Sequence, residues 1–174
     1  YFGSYVRDRG LERISHGVYK SADAWDDGMY ILQTRYPSAV FSHESALFLL
    51  NLAEREPARH SVTMKAGTNA TRLGNQGVKV YKVKQELFVE GVIEMRSPTG
   101  HTIRTYCPER TICDLVRSRR HIEIQDFQFA LKEYAVSRER NIPLLLRYAK
   151  LFSIEKRIRQ YLEESGHTQV KVAR

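Results

Sequence analysis

Gly10-Leu-Glu-Arg-Ile-Ser-His-Gly-Val-Tyr-Lys20 sets two short β-prone runs on either side of a His16-Gly17 turn. Leu11, Ile14, Val18 and Tyr19 supply the apolar positions, so the stretch predicts a small β-hairpin. The residues before it, Tyr1-Phe-Gly-Ser-Tyr-Val-Arg-Asp-Arg-Gly10, predict the last turns of a helix. Phe2 and Val6 share a face, Arg7 and Arg9 lie near the end, and Gly10 suits the position just past it. A helix closed by Arg-Gly and followed at once by a hairpin is how a winged helix-turn-helix ends. On that reading Tyr1, Ser4 and Tyr5 lie near the DNA end of the recognition helix, and Arg7, Arg9, Arg13, His16 and Lys20 reach phosphates. The chain begins at Tyr1 rather than Met, so the earlier helices of such a module are expected in a preceding segment.

Downstream of the hairpin, residues 21–37 read as an acidic, aromatic connector with a short helix over Met29–Tyr36 stopped by Pro37. Ser42-His43-Glu44-Ser45 opens the next helix, with Ser42 as N-cap, Glu44 in an exposed first turn and an apolar stripe through Leu47, Leu50 and Ala53. Residues 60–106 predict a meander of three or four strands, mainly antiparallel. Its strands are Ser61–Lys65, Val78–Val83, Val92–Arg96 and His101–Tyr106, with a surface loop over Ala66–Gly77 and a turn at Ser97-Pro-Thr-Gly100. From Pro108 the pattern is helical: Ile112, Leu115 and Val116; then Phe127, Leu131, Tyr134 and Ala135; then Leu145, Tyr148, Ala149 and Phe152; then Ile154, Ile158, Tyr161 and Leu162, closed by Gly166. The expected fold class is therefore α+β: a winged-helix remnant over 1–20, the connector over 21–37, a domain with a small sheet and a helical group over 38–166, and a flexible tail over 167–174.

The charge is unevenly distributed. The net charge is +8 and the pI near 9.6. Residues 21–58 hold Asp23, Asp26, Asp27, Glu44, Glu54 and Glu56 against Arg35 and Arg55, whereas residues 59–84 hold Arg59, Lys65, Arg72, Lys79, Lys82 and Lys84 with no acid. Such blocks attract polyanions, chiefly phosphate backbones. Lys65, Arg72, Lys79 and Lys82 form a candidate second surface for nucleic acid or a partner. No run approaches the ~18 apolar residues of a membrane span, and no signal peptide is evident, so a cytoplasmic protein is expected. Cys107 and Cys113 lack metal-knuckle spacing and are expected as buried free thiols.

Catalytic readings find little to hold. His43 and Glu44 are neighbours about 100° apart around a helix and do not converge on one atom. Glu94 stands alone on its strand, without the carboxylate cluster a metal nuclease needs. Arg110 and Asp114 are i, i+4 partners that pin a helix to its neighbours. The glycines at 67, 74 and 77 fit neither a P-loop nor a dinucleotide fingerprint. Neither catalytic residues nor metal nor cofactor are expected. The rivals to a DNA-binding regulator are a metal-dependent nuclease or nucleotidyl enzyme targeted by the winged helix, and an RNA-binding module using residues 59–84.

The run Gly10–Lys20 resembles the wing of AbiEi-type antitoxins, which act in type IV toxin–antitoxin and abortive-infection systems. Asp26-Asp-Gly28, Leu32-Gln-Thr-Arg-Tyr-Pro37, Phe41-Ser-His-Glu-Ser-Ala-Leu47, Cys107-Pro-Glu-Arg-Thr-Ile-Cys-Asp-Leu115 and the helical stretch Phe127–Glu163 are similar in the same order. The resemblance implies an N-terminal winged helix-turn-helix, whose first two or three helices precede Tyr1, and a C-terminal antitoxin domain. It implies repression of the protein's own operon at inverted repeats in double-stranded DNA and neutralisation of a nucleotidyltransferase-type toxin. The protein would be a monomer in solution that pairs on DNA. The family pattern supplies the wing and helix-end residues as DNA contacts and no catalytic residue for Ser42, His43 or Asp114.

Overall fold

The computed structural model describes residues 12–15, 18–20 and 27–172, with side chains over 27–165. The first two strands, β1 (Glu12–Ser15) and β2 (Val18–Lys20), pair antiparallel as a hairpin with a register shift between Arg13 and Ser15. The helix end expected over residues 1–10 lies outside the described residues, and so do residues 21–26 of the acidic connector.

Helix α1 (Gly28–Arg35) starts at Asp27, whose carboxylate accepts from the Tyr30 amide at 3.1 Å, and β1 packs beside it. The short β3 (Val40–Phe41) leads into α2 (His43–Leu49). Then follow β4 (Ser61–Lys65), α3 (Thr71–Asn75), β5 (Lys79–Val83), α4 (Gln85–Phe88), β6 (Val92–Arg96) and β7 (Thr102–Tyr106). The chain ends in α5 (Pro108–Arg117), a 3₁₀ turn (Arg119–His121), α6 (Ile124–Val136), α7 (Ile142–Leu151) and α8 (Glu155–Val172). Pro108 occupies the first turn of α5, where a missing amide hydrogen costs nothing, and Asn141 caps α7 by accepting from the Leu144 amide at 3.1 Å.

The fold is α+β, but the sheet is not the antiparallel meander the strand spacing suggested. It has five strands in the order β5-β4-β3-β7-β6; β3–β4 and β6–β7 are antiparallel, while β3–β7 and β4–β5 are parallel. Two features account for the difference. A strand of two residues, β3, sits at the centre, too short to show an alternation. The segment expected as a surface loop contains α3, whose Leu73 is fully buried, so β4-α3-β5 is a crossover unit that returns the chain parallel. Helix α8 runs on past Gly166 to Val172 instead of closing there.

Two hydrophobic cores flank the sheet. One joins Met29 and Leu32 of α1 and Leu73 of α3 to Phe41, Val62, Met64 and Ile103. The other gathers α2 and α5 to α8 around Leu47, Ile112, Leu115, Phe127, Leu145 and Ile158. Cys107 and Cys113 are free and buried at its edge, and burial pushes both thiols above their ordinary range. Among the described residues no helix is long and apolar enough to cross a membrane.

Candidate nucleic-acid interface and the buried polar seam

Of the residues expected at DNA, Tyr1, Ser4, Tyr5, Arg7, Arg9 and His16 lie outside the described residues. Arg13 and Lys20 stand on strand backbone, where Arg13 pairs with Tyr19 and Lys20 with Glu12. The two bases therefore occupy register positions of opposite parity on the hairpin.

The proposed second surface divides in two. On β4 and β5 the register aligns Thr63 with Tyr81 and Met64 with Lys82. Lys82 shares its parity with Val80, which packs against the core containing Leu73, so Lys82 falls on the same side as exposed Arg72 of α3. Lys65 and Lys79 have the other parity. The Lys65 ammonium lies 5.6 Å from the centre of the Phe88 ring, and Lys79 Nζ donates to Glu44 Oε2 at 2.9 Å and to the His121 carbonyl at 3.3 Å. Four bases that share a sequence block thus face two sides of a sheet, because neighbours in a strand point opposite ways.

Between the sheet and α2 runs a seam of buried polar groups, and it overturns the expectation of an exposed first turn at His43. His43 is 2% exposed and adopts a left-handed φ of 52°. Its ring stacks on Tyr81, with centroids 3.5 Å apart, and its nitrogens bond to Ser42 Oγ (2.8 Å, through Nδ1) and Ser118 Oγ (3.1 Å, through Nε2). Thr63 Oγ1 donates to Ser42 Oγ at 2.7 Å, which links the imidazole to β4. Ser42 is fully buried. Burial, reinforced by the positive charges of Arg110, Lys79, Arg117 and His121, lowers His43 to about 3 and keeps the ring neutral.

Ser42 occupies the N-cap position of α2 but makes no side-chain cap. The service comes from β4: Ser61 Oγ accepts from the Ser45 amide (3.0 Å) and donates to the Ser42 carbonyl (2.6 Å), while Ser45 Oγ accepts from the Ser61 amide (2.8 Å). Sequence inspection missed this seam. The available signal was the alternation Ser61-Val-Thr-Met-Lys65, whose polar parity faces a helix rather than water.

Two further clusters hold the frame. Arg110 and Asp114 are both buried; the Nε of Arg110 donates to both Asp114 oxygens at 3.0 and 3.1 Å, and its Nη1 donates to the carbonyls of Leu87 and Glu90. The i, i+4 pair therefore pins α5 to α4 as expected, with the guanidinium lying between the rings of Tyr106 and Phe152. At the other end, Asp27 accepts from Ser97, Thr99 and His101, which itself stacks on Tyr30. Burial works to raise the Asp27 carboxyl, but these donors together outweigh it and hold the carboxyl below its usual value.

Among the described residues no group of three His, Cys, Asp or Glu side chains comes together as a metal site. Glu94 on β6 pairs across the strands with Arg104. The chain matches no protein-family model, and a search of curated proteins returns no relative of it.

Proposed function

We propose that this protein is a DNA-binding autorepressor of the AbiEi antitoxin kind, contacting the phosphate backbone of operator DNA through the β1–β2 hairpin and countering a nucleotidyltransferase-type toxin through the domain that follows. The observation that carries the reading is the antiparallel hairpin itself, Glu12–Ser15 paired with Val18–Lys20. It stands in a chain of net charge +8, with Arg7, Arg9, Arg13, His16 and Lys20 on or next to it in sequence. A two-stranded wing entering edge-on between phosphate rows offers bases of both parities to DNA, so the register of Arg13 and Lys20 is compatible with this use. The network around His43 supports a scaffold role for the domain: its hydroxyls and imidazole bond one another and tie α2 to β4 and to the end of α5.

The test is binding of the full chain to duplex DNA carrying the promoter's inverted repeats, measured across a salt series. Binding should weaken steeply with salt, and changing Arg7, Arg9, Arg13 and Lys20 together to Ala should reduce the log–log slope by about 0.9 for each phosphate contact removed. Undiminished binding by that variant would contradict the hairpin assignment.

A further inference from the structure

The geometry points to a second DNA-backbone contact at the corner where the start of β5 meets the end of α5, made by the guanidinium groups of Arg59, Arg117, Arg119 and Arg120. This inference rests on the reading of the protein as a DNA binder, and it replaces the dispersed set Lys65, Arg72, Lys79 and Lys82 with groups that the fold gathers.

Lys79 closes the corner. Bridged to Glu44, it also holds the His121 carbonyl at 3.3 Å, so the segment Arg117-Ser-Arg-Arg-His121 is tied against the edge strand. Arg59 lies at the same end of that strand, its Nε donating to the Gly77 carbonyl at 2.6 Å. At His43 the charges of Arg110, Lys79, Arg117 and His121 act with one sign, while at neighbouring Tyr81 Glu44 and Asp114 oppose Arg59. A positive potential there favours a phosphate. Glu44, the acid inside the corner, is already neutralised by Lys79.

Arg59, Arg117 and Arg119 are also held in place. Arg117 lies over the Phe152 ring at 4.6 Å, and Arg119 over Phe127 at 4.4 Å with Nη1 donating to the Ile122 carbonyl. Arg120 is exposed and has no acidic partner among the described residues. Side chains anchored this way lose less freedom on binding than free ones. The exposed ring beside them is the single imidazole of His121; Phe127 and Phe152 are buried beneath the guanidinium groups, and Tyr81 is stacked on His43. Single-stranded nucleic acid is held by successive bases stacking on a series of open rings, whereas this corner offers mainly guanidinium groups and so fits the backbone of a duplex.

The test uses the full chain and a fluorescein-labelled, mixed-sequence DNA duplex, read by anisotropy over a salt series. The double variant Arg59→Gln/Arg120→Gln should lower the salt slope by about 1.8, two contacts' worth, and weaken binding roughly tenfold or more at low salt. The charge-matched control Arg147→Gln/Lys150→Gln, exposed bases of α7, should bind within about twofold of the parent. Unchanged melting temperatures show that both variants fold. Loss with Arg59→Gln/Arg120→Gln but none with the four-residue hairpin variant would uphold the corner and remove the hairpin. Loss with the hairpin variant alone, equal loss with the α7 control, or tighter binding to an RNA duplex of the same sequence would each overturn the corner.

Discussion

At the residue scale the unusual group is His43, a buried neutral imidazole with a left-handed backbone. Such a φ costs on the order of 1–3 kcal/mol in a residue with a Cβ and persists only where the surroundings impose it. Here the surroundings are Ser42, Ser118 and the Tyr81 ring. The linkage to pH has a definite sign. Below the unfolded value of 6.5 the unfolded chain takes up a proton that the folded ring refuses until about 3. Stability therefore falls as pH drops from 6.5 toward the carboxylate range, by at most about 1.4 kcal/mol per pH unit from this group. Urea unfolding of His43→Asn, a residue that tolerates left-handed backbone, should show a lower stability at neutral pH and a shallower acid slope. Burial lowers His60 as well, so the slope should shrink rather than vanish. An identical slope in the variant would remove His43 from the account.

Elements are joined here at a few crowded points, of which Gly91 is the tightest. Its φ is 81°, and a Cβ would stand 2.7 Å from Arg110 Cβ and 3.2 Å from Cys107 Sγ, where α5 meets the start of β6. Gly91→Ala should destabilise by roughly 2–5 kcal/mol, combining the left-handed penalty with overpacking. Gly100→Ala has a φ of 92° but open space around the Cβ, and should cost only the conformational part, about 1–2 kcal/mol. Equal losses in thermal denaturation would mean that the Arg110 contact does not matter. Element identity was widely readable in the sequence, because Ser61–Lys65, Val92–Arg96 and the Pro108 helix announce themselves by alternation, turn chemistry and a first-turn proline. Pairing was not. The direction of β4 and β5 depends on Leu73, a single buried side chain in a segment whose glycines and asparagine read as loop, and on a two-residue central strand. The polar seam was hidden for a related reason: serines and threonines at one parity look solvent-facing until a helix covers them.

On the scale of the whole molecule, positive charge is distributed by fold rather than by sequence block. Lys65 and Lys79 separate from Arg72 and Lys82 because strand parity sends them to opposite sides, whereas Arg59 and Arg117–Arg120, far apart in sequence, meet at one corner. The hairpin packs beside α1, which belongs to a different core from α5. The AbiEi-like reading rests on the hairpin as a DNA contact, and photo-cross-linking tests that most directly. The full chain would be cross-linked to bromodeoxyuridine-substituted operator duplex, digested, and the attached peptides mapped by mass spectrometry. The dominant peptides should span residues 12–20, with weaker ones at 117–121. Cross-links confined to α6, α7 and α8, or none at saturating protein, would contradict it.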